Sequence, residues 1–182
     1  MSSRSRLLVL TFLMEGAVLI AALVLAGLCG IALLPLTENL LHDILIGTYG
    51  ALFPLALFVL VLSKRAEAIP LLRSARKALI TEIKTIFSTA GLIDICLISL
   101  FAGFAEELLF RGVIQVKLGI VAASIMFGLL HCITPVYVVV ATIIGFYIGI
   151  LYYLYQSLLI PIQLHFIYDF GALIYLRYFV SK

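Results

Sequence analysis

Phe104-Ala-Glu-Glu-Leu-Leu-Phe-Arg-Gly112 decides how this chain is read. Two adjacent carboxylates and an arginine stand in a sequence otherwise suited to lipid. A charge buried in hydrocarbon costs several kcal/mol, so an ionisable residue there points to function. On a helix, Glu107 and Arg111 are spaced i,i+4 with the acid first, the favourable order for an ion pair. Glu106 lies about 100° further round the helix and has no arginine of its own. One carboxylate therefore reads as structural, the other as free for chemistry.

The rest of the chain supports a membrane setting. Its 182 residues are 65% hydrophobic and 12% charged, with mean hydropathy +1.28. Soluble domains are usually about half apolar and a quarter charged. Apolar runs of roughly 20 residues indicate helices, since barrel strands would alternate with period two. The fold class expected is an all-α polytopic bundle of about six spans plus one amphipathic interfacial helix. Residues 1–88 would supply two helices and the amphipathic linker, and residues 89–182 a four-helix catalytic core. The cysteines, Cys29, Cys96 and Cys132, are isolated in apolar segments and read as small buried hydrophobes. Basic residues without interleaved aromatics argue against nucleic acid.

In order, Leu7–Leu34 is too long for a signal peptide core and reads as a retained first span carrying Glu15. Glu15 either pairs near the helix end with a neighbour such as Arg4 or Arg6 or stays protonated, or it serves as an accessory polar group near the site. Ile44–Leu62 is the second span, with a kink expected at Pro54. Residues 66–88 alternate Arg73, Arg76, Lys77, Glu82 and Lys84 with apolar residues at helical spacing, as a surface-lying helix does. Gly91–Lys117 is the third span, Gly119 a turn, and Val121–Cys132 a short fourth span. Val136–Tyr155 and Leu158–Phe179 complete the set. Gly145 and Gly149 have the small-xxx-small spacing that lets helices approach closely. With both termini cytoplasmic, Arg4, Arg6, Lys64, Arg65, Arg73, Arg76, Lys77, Lys84, Arg177 and Lys182 lie inside, against Arg111 and Lys117 outside. That is a positive-inside bias; the location expected is the bacterial plasma (inner) membrane.

The polar residues can meet. Glu106 and His131 are both roughly 18–20 Å from the turn at Gly119, one before it and one after. His165 and Asp169 share a face of the last span at i,i+4. Phe127 is one turn before His131 and would wall a pocket. Gly103, one turn before Glu106, would leave room for water or serve helix packing.

Such a set suits water chemistry. A carboxylate shielded from bulk water is a better proton acceptor. Glu106 with His131 could hold and deprotonate a water, and His165 could donate to an oxyanion. Asp169 would donate if protonated, or orient His165 if ionised. Glu107 and Arg111 would hold the third span in register. Ser124 and Cys132 lack a placed base. A zinc alternative uses Glu107, His131 and His165 as ligands with Glu106 as base. The absence of His-Glu-x-x-His and the claim of Arg111 on Glu107 favour no metal and no cofactor.

Glu106-Glu107-x-x-x-Arg111, Phe127-x-x-x-His131 and His165-x-x-x-Asp169, in this order on successive apolar segments, resemble the CPBP family of intramembrane proteases. That family includes CAAX prenyl endopeptidases and bacteriocin-processing proteins. The resemblance covers roughly residues 91–175. It implies a glutamic-type membrane endopeptidase. Residues matching Glu106 and His131 would activate water, and those matching His165 and Asp169 would stabilise the oxyanion. Family members commonly carry Asn where this chain has Asp169. The implied partner is a membrane-anchored protein or peptide. Two other classes compete: a proton-coupled transporter, whose relays use the same residue types, and a non-catalytic immunity or scaffold protein.

Overall fold

A computed structural model describes residues 3–132 and 134–180, apart from the side chains of Leu71 and Glu82. The expected roles of Glu82 and Lys182 lie outside the described residues. The described chain is helical, with no strand. Its elements are α1 (Ser3–Cys29), α2 (Leu40–Gly50), α3 (Leu52–Leu62), α4 (Pro70–Ala78), α5 (Lys84–Ile86), α6 (Leu92–Glu107), α7 (Val116–Leu130), α8 (Pro135–Tyr155) and α9 (Leu159–Ile174). A π-helical segment, Leu108–Gln115, continues α6 into α7. Among the described residues five helical runs are long and apolar enough to cross a membrane: 3–29, 40–62, 92–130, 135–155 and 159–179. This is an integral membrane protein with an all-α polytopic bundle.

The expectation of about six spans needs one correction. The 92–130 run breaks at Gly119, whose backbone (φ 83°, ψ 167°) lies where side-chain-bearing residues are strained. Beyond it the chain turns back. Phe127 packs edge-on against Phe110 at 5.1 Å, and His131 returns to the level of Glu106. The returning arm, Ile120–Leu130, is about 16 Å long and too short to cross alone. The turn is where the glycine placed it; the fourth span is a half-length arm.

Pro54 breaks the second run without ending it. Its ring removes the N–H that would bond the Gly50 carbonyl four residues earlier. Tyr147 fills the vacancy from α8, its hydroxyl donating to that carbonyl at 2.9 Å. Helix α2 ends at Gly50 and α3 resumes at Leu52.

One end of the bundle gathers both chain ends. Arg4 grips Asp94 at the start of α6 with Nε and Nη2, at 2.7 and 2.8 Å. Lys84 reaches the Val180 carbonyl. Arg76 donates to the Leu62 carbonyl at 3.1 Å and pairs with Glu67 at 2.8 Å. The amphipathic segment therefore does more than lie on lipid. Ala75 and Leu79 are buried in a cluster with Phe58, Val61, Leu62, Ala172 and Leu176. Its apolar face packs across the ends of α3 and α9, and part of its basic face ties segments together.

The centre of the bundle is the π-helical segment. All eight of its residues are buried, including Arg111 and Gln115. In lipid every backbone polar group needs a partner inside the protein. Here side chains add a second donor to backbone carbonyls of a neighbouring helix, which already accept within it. Arg111 Nη2 donates to the Gly145 carbonyl at 3.0 Å, and Gln115 Nε2 to the Gly149 carbonyl at 2.8 Å. The two donors are four residues apart, and so are the two glycines. Missing side chains at Gly145 and Gly149 let α8 come close enough for this ladder.

Candidate active site

Glu107 and Arg111 form the fixed half of the site. Glu107 is fully buried and Arg111 is 1% exposed. Nη1 of Arg111 donates to Oε1 of Glu107 at 3.0 Å and lies 2.9 Å from Oε2. The guanidinium stacks over the Phe127 ring at 4.8 Å. Arg111 therefore drops out of the count of charges on the far side of the membrane, where the sequence reading had put it.

His165 on α9 touches this pair. Its Nδ1 is 2.7 Å from Glu107 Oε1, and its Nε2 is 3.4 Å from Asp169 Oδ2 one turn on. Each ring nitrogen thus faces a carboxylate oxygen, an arrangement that a ring carrying both protons satisfies. Glycine makes this approach workable. A Cβ at Gly103 would stand 3.0 Å from the Phe166 nitrogen, 3.2 Å from the Ile162 carbonyl oxygen and 3.4 Å from His165 Cβ. Gly103 thus serves the packing of α6 on α9, directly under His165.

Glu106 and His131 form the second half. The His131 Nδ1 is 2.8 Å from the Phe127 carbonyl oxygen. A carbonyl only accepts, so Nδ1 carries the hydrogen. In the neutral ring Nε2 is then an acceptor, and it faces Glu106 Oε2 at 3.6 Å. That separation exceeds a direct hydrogen bond and suits a shared water. Glu106 Oε2 has no protein hydrogen-bond partner. His131 is the last residue of its arm, as the C-cap of α7.

The Phe127 ring joins the two halves. It lies 4.4 Å from the His131 ring and 5.9 Å from the His165 ring, between centroids. A cavity of about 280 Å³ opens on this group, lined by Glu106, Phe127, His131, His165 and Asp169 among others. So the structure brings all four expected catalytic residues to one chamber, with Glu107 and Arg111 behind it. The other walls are mostly apolar and include Leu79, Ile83 and Phe87 of the amphipathic segment.

Two residues entered that the sequence reading did not place. Gln115 lies one turn beyond Arg111, and its match to the Gly145/Gly149 spacing was the available signal. Glu15 lines the cavity from α1. Its partner is not Arg4, which is committed to Asp94. Ser124 donates its hydroxyl to the Ile120 carbonyl at 2.7 Å and is not set up as a nucleophile. Glu107 is engaged by Arg111 and His165, and among the described residues no three His, Cys, Asp or Glu side chains are arranged to share an ion.

Residues 88–171 match the family model described as type II CAAX prenyl endopeptidase Rce1-like. An uncharacterized protein, YpbD, of Bacillus subtilis (strain 168) is 37% identical over 89 residues, 47% of each chain. The chain spans about half the length of that curated relative. No solved structure matches.

Proposed function

We propose that this protein, whose residues 88–171 match the Rce1-like family model, is an intramembrane endopeptidase that cuts a membrane-associated protein or peptide with an activated water. The observation that carries this reading is the pair Glu106 and His131, 3.6 Å apart on one cavity with His165 and Asp169.

The water sits between Glu106 Oε2 and His131 Nε2. As its oxygen bonds to the substrate carbonyl carbon, its proton passes to Glu106. The carbonyl electron pair moves onto oxygen. His165, whose Nδ1 is held by Glu107, donates its Nε2–H to that charge, giving up the long 3.4 Å contact with Asp169. Asp169 orients His165. When the tetrahedral intermediate collapses, the C–N bond breaks and the leaving nitrogen takes the proton from Glu106. No step needs a metal. The Arg111–Glu107–His165 chain costs no reorganisation during the reaction, because its members are already paired and buried. The first and last described residues and the amphipathic segment share one end of the bundle, which we place in the cytoplasm on the positive-inside bias. The bacterial plasma membrane is the proposed location.

The test compares purified wild type with Glu106→Ala and His131→Ala, each shown to insert and to unfold at the wild-type temperature. Both variants should lose cleavage. Peptidomics of cells carrying wild type or the Glu106→Ala variant should show peptides that differ at a common cut. Wild-type cleavage rates from purified Glu106→Ala protein would refute the reading.

A further inference from the structure

One acid on the cavity wall has no part in the reaction above. Glu15 projects from α1, and its depth follows from two contacts. Arg4 is tied to Asp94, and the rings of Phe12 and Phe101 meet at 5.4 Å between centroids. Helices α1 and α6 therefore run in the same direction, offset by about 90 residue numbers. That register puts Glu15 level with Phe104 or Ala105, one to two rises from Glu106.

Glu15 lines the same cavity as Glu106, His131, His165 and Asp169. Its Oε2 is enclosed and has no hydrogen-bond partner, the condition of Glu106 Oε2. The cations nearby are already engaged: Arg4 with Asp94, and Arg111 with Glu107 and the Gly145 carbonyl. His165 is held between Glu107 and Asp169. A carboxylate in apolar surroundings without a partner is costly. The protein meets that cost at Glu107 and leaves it unmet at Glu15. The cavity wall around Glu15 is also rich in acid, with Glu106 and Asp169 present and no Lys or Arg.

We propose that Glu15 is a specificity residue: its carboxylate pairs with a Lys or Arg side chain of the substrate peptide, beside the bond to be cut. The remaining wall, which includes Phe58, Ile98, Ala102 and Ile144, receives the aliphatic stem and the neighbouring apolar residues. Since Glu15 is one to two rises from Glu106, the basic residue lies within about two residues of the scissile bond. The proposal rests on the endopeptidase reading for its substrate, but the cation site can be measured without turnover.

The experiment uses the full chain in lipid nanodiscs. The probes are Leu/Ala peptides of about 20 residues, each with one Lys moved through the central positions, paired with the norleucine isostere. Binding is measured on Glu106→Gln protein with and without Glu15→Gln. Cleavage is measured on wild type and on Glu15→Gln. At the best position the Lys peptide should bind about tenfold to a hundredfold more tightly than its isostere, the size of a charge-assisted bond. Glu15→Gln should bring that ratio to about one, and Glu15→Asp should keep part of it. A ratio that is the same with and without Glu15, or no ratio at any position, overturns the proposal. A Glu15-dependent ratio with no cleavage of any peptide would sink the endopeptidase reading and leave the cation site standing. Cleavage indifferent to Lys does the reverse.

Discussion

Removing Arg111 should cost more than any other single truncation in the bundle. The side chain is 1% exposed and faces a fully buried Glu107. Arg111→Met keeps most of the apolar volume and removes the charge. It strands the Glu107 carboxylate, which keeps only His165, and it removes the second donor to the Gly145 carbonyl, which keeps its bond within α8. Breaking a buried pair from one side costs about 3–5 kcal/mol. Losing one further hydrogen bond to a carbonyl adds about 1 kcal/mol. Contributions within one network are not additive, so about 4 kcal/mol is the expected total. Reversible unfolding in mixed micelles of detergent and SDS measures it. The second arm of the experiment is the double variant Glu107→Gln/Arg111→Met. Most of the loss comes from an unpaired charge, so neutralising Glu107 should restore about 2 kcal/mol or more. Additive single and double variants would refute the reasoning, because they would mean that Glu107 gains nothing from its arginine. Arg111→Lys should fall between, keeping the charge but not the fork that reaches Glu107 and Gly145 together.

Other outcomes follow from the same geometry. Gly103→Ala should lower kcat by about tenfold or more, since the new methyl pushes α9 and shifts His165; a wild-type kcat would show that His165 has slack. Gln115→Leu should lower stability by about 1 kcal/mol through the lost hydrogen bond to the Gly149 carbonyl, which keeps its bond within α8, read by the same unfolding titration. Tyr147→Phe should cost about 1 kcal/mol, because the Gly50 carbonyl, freed by Pro54, loses its donor. Hydrolysis should survive extended treatment with 1,10-phenanthroline; loss of activity restored by added zinc would replace the metal-free mechanism.

What the sequence disclosed depends on how local the physics is. The Glu107–Arg111 pair is a matter of one helical turn, and spacing alone places it. The Gly119 reversal needs only a residue that tolerates positive φ, and the common depth of Glu106 and His131 follows by counting from it. Counting failed for the returning arm because hydropathy scores composition, while Ile120–Leu130 falls short in length. Arg111 was counted among the charges of the far side because positive-inside arithmetic tallies every basic residue, including one already paired inside a span. Glu15 stayed open between two readings. Its place is set by Arg4 meeting Asp94, 90 positions away in sequence, and nothing local in either residue announces that contact.

The half-length arm also bears on biogenesis. A segment of about 16 Å has no stable position of its own in a bilayer core roughly 30 Å thick. At the translocon it can only follow as a passenger of the helix before it, and it gains a partner for its far end only when α8 arrives. The imidazole of His131, carried at the tip of that arm, therefore reaches its working depth late. A nascent chain released before Tyr155 would hold Glu106 in lipid with nothing opposite it.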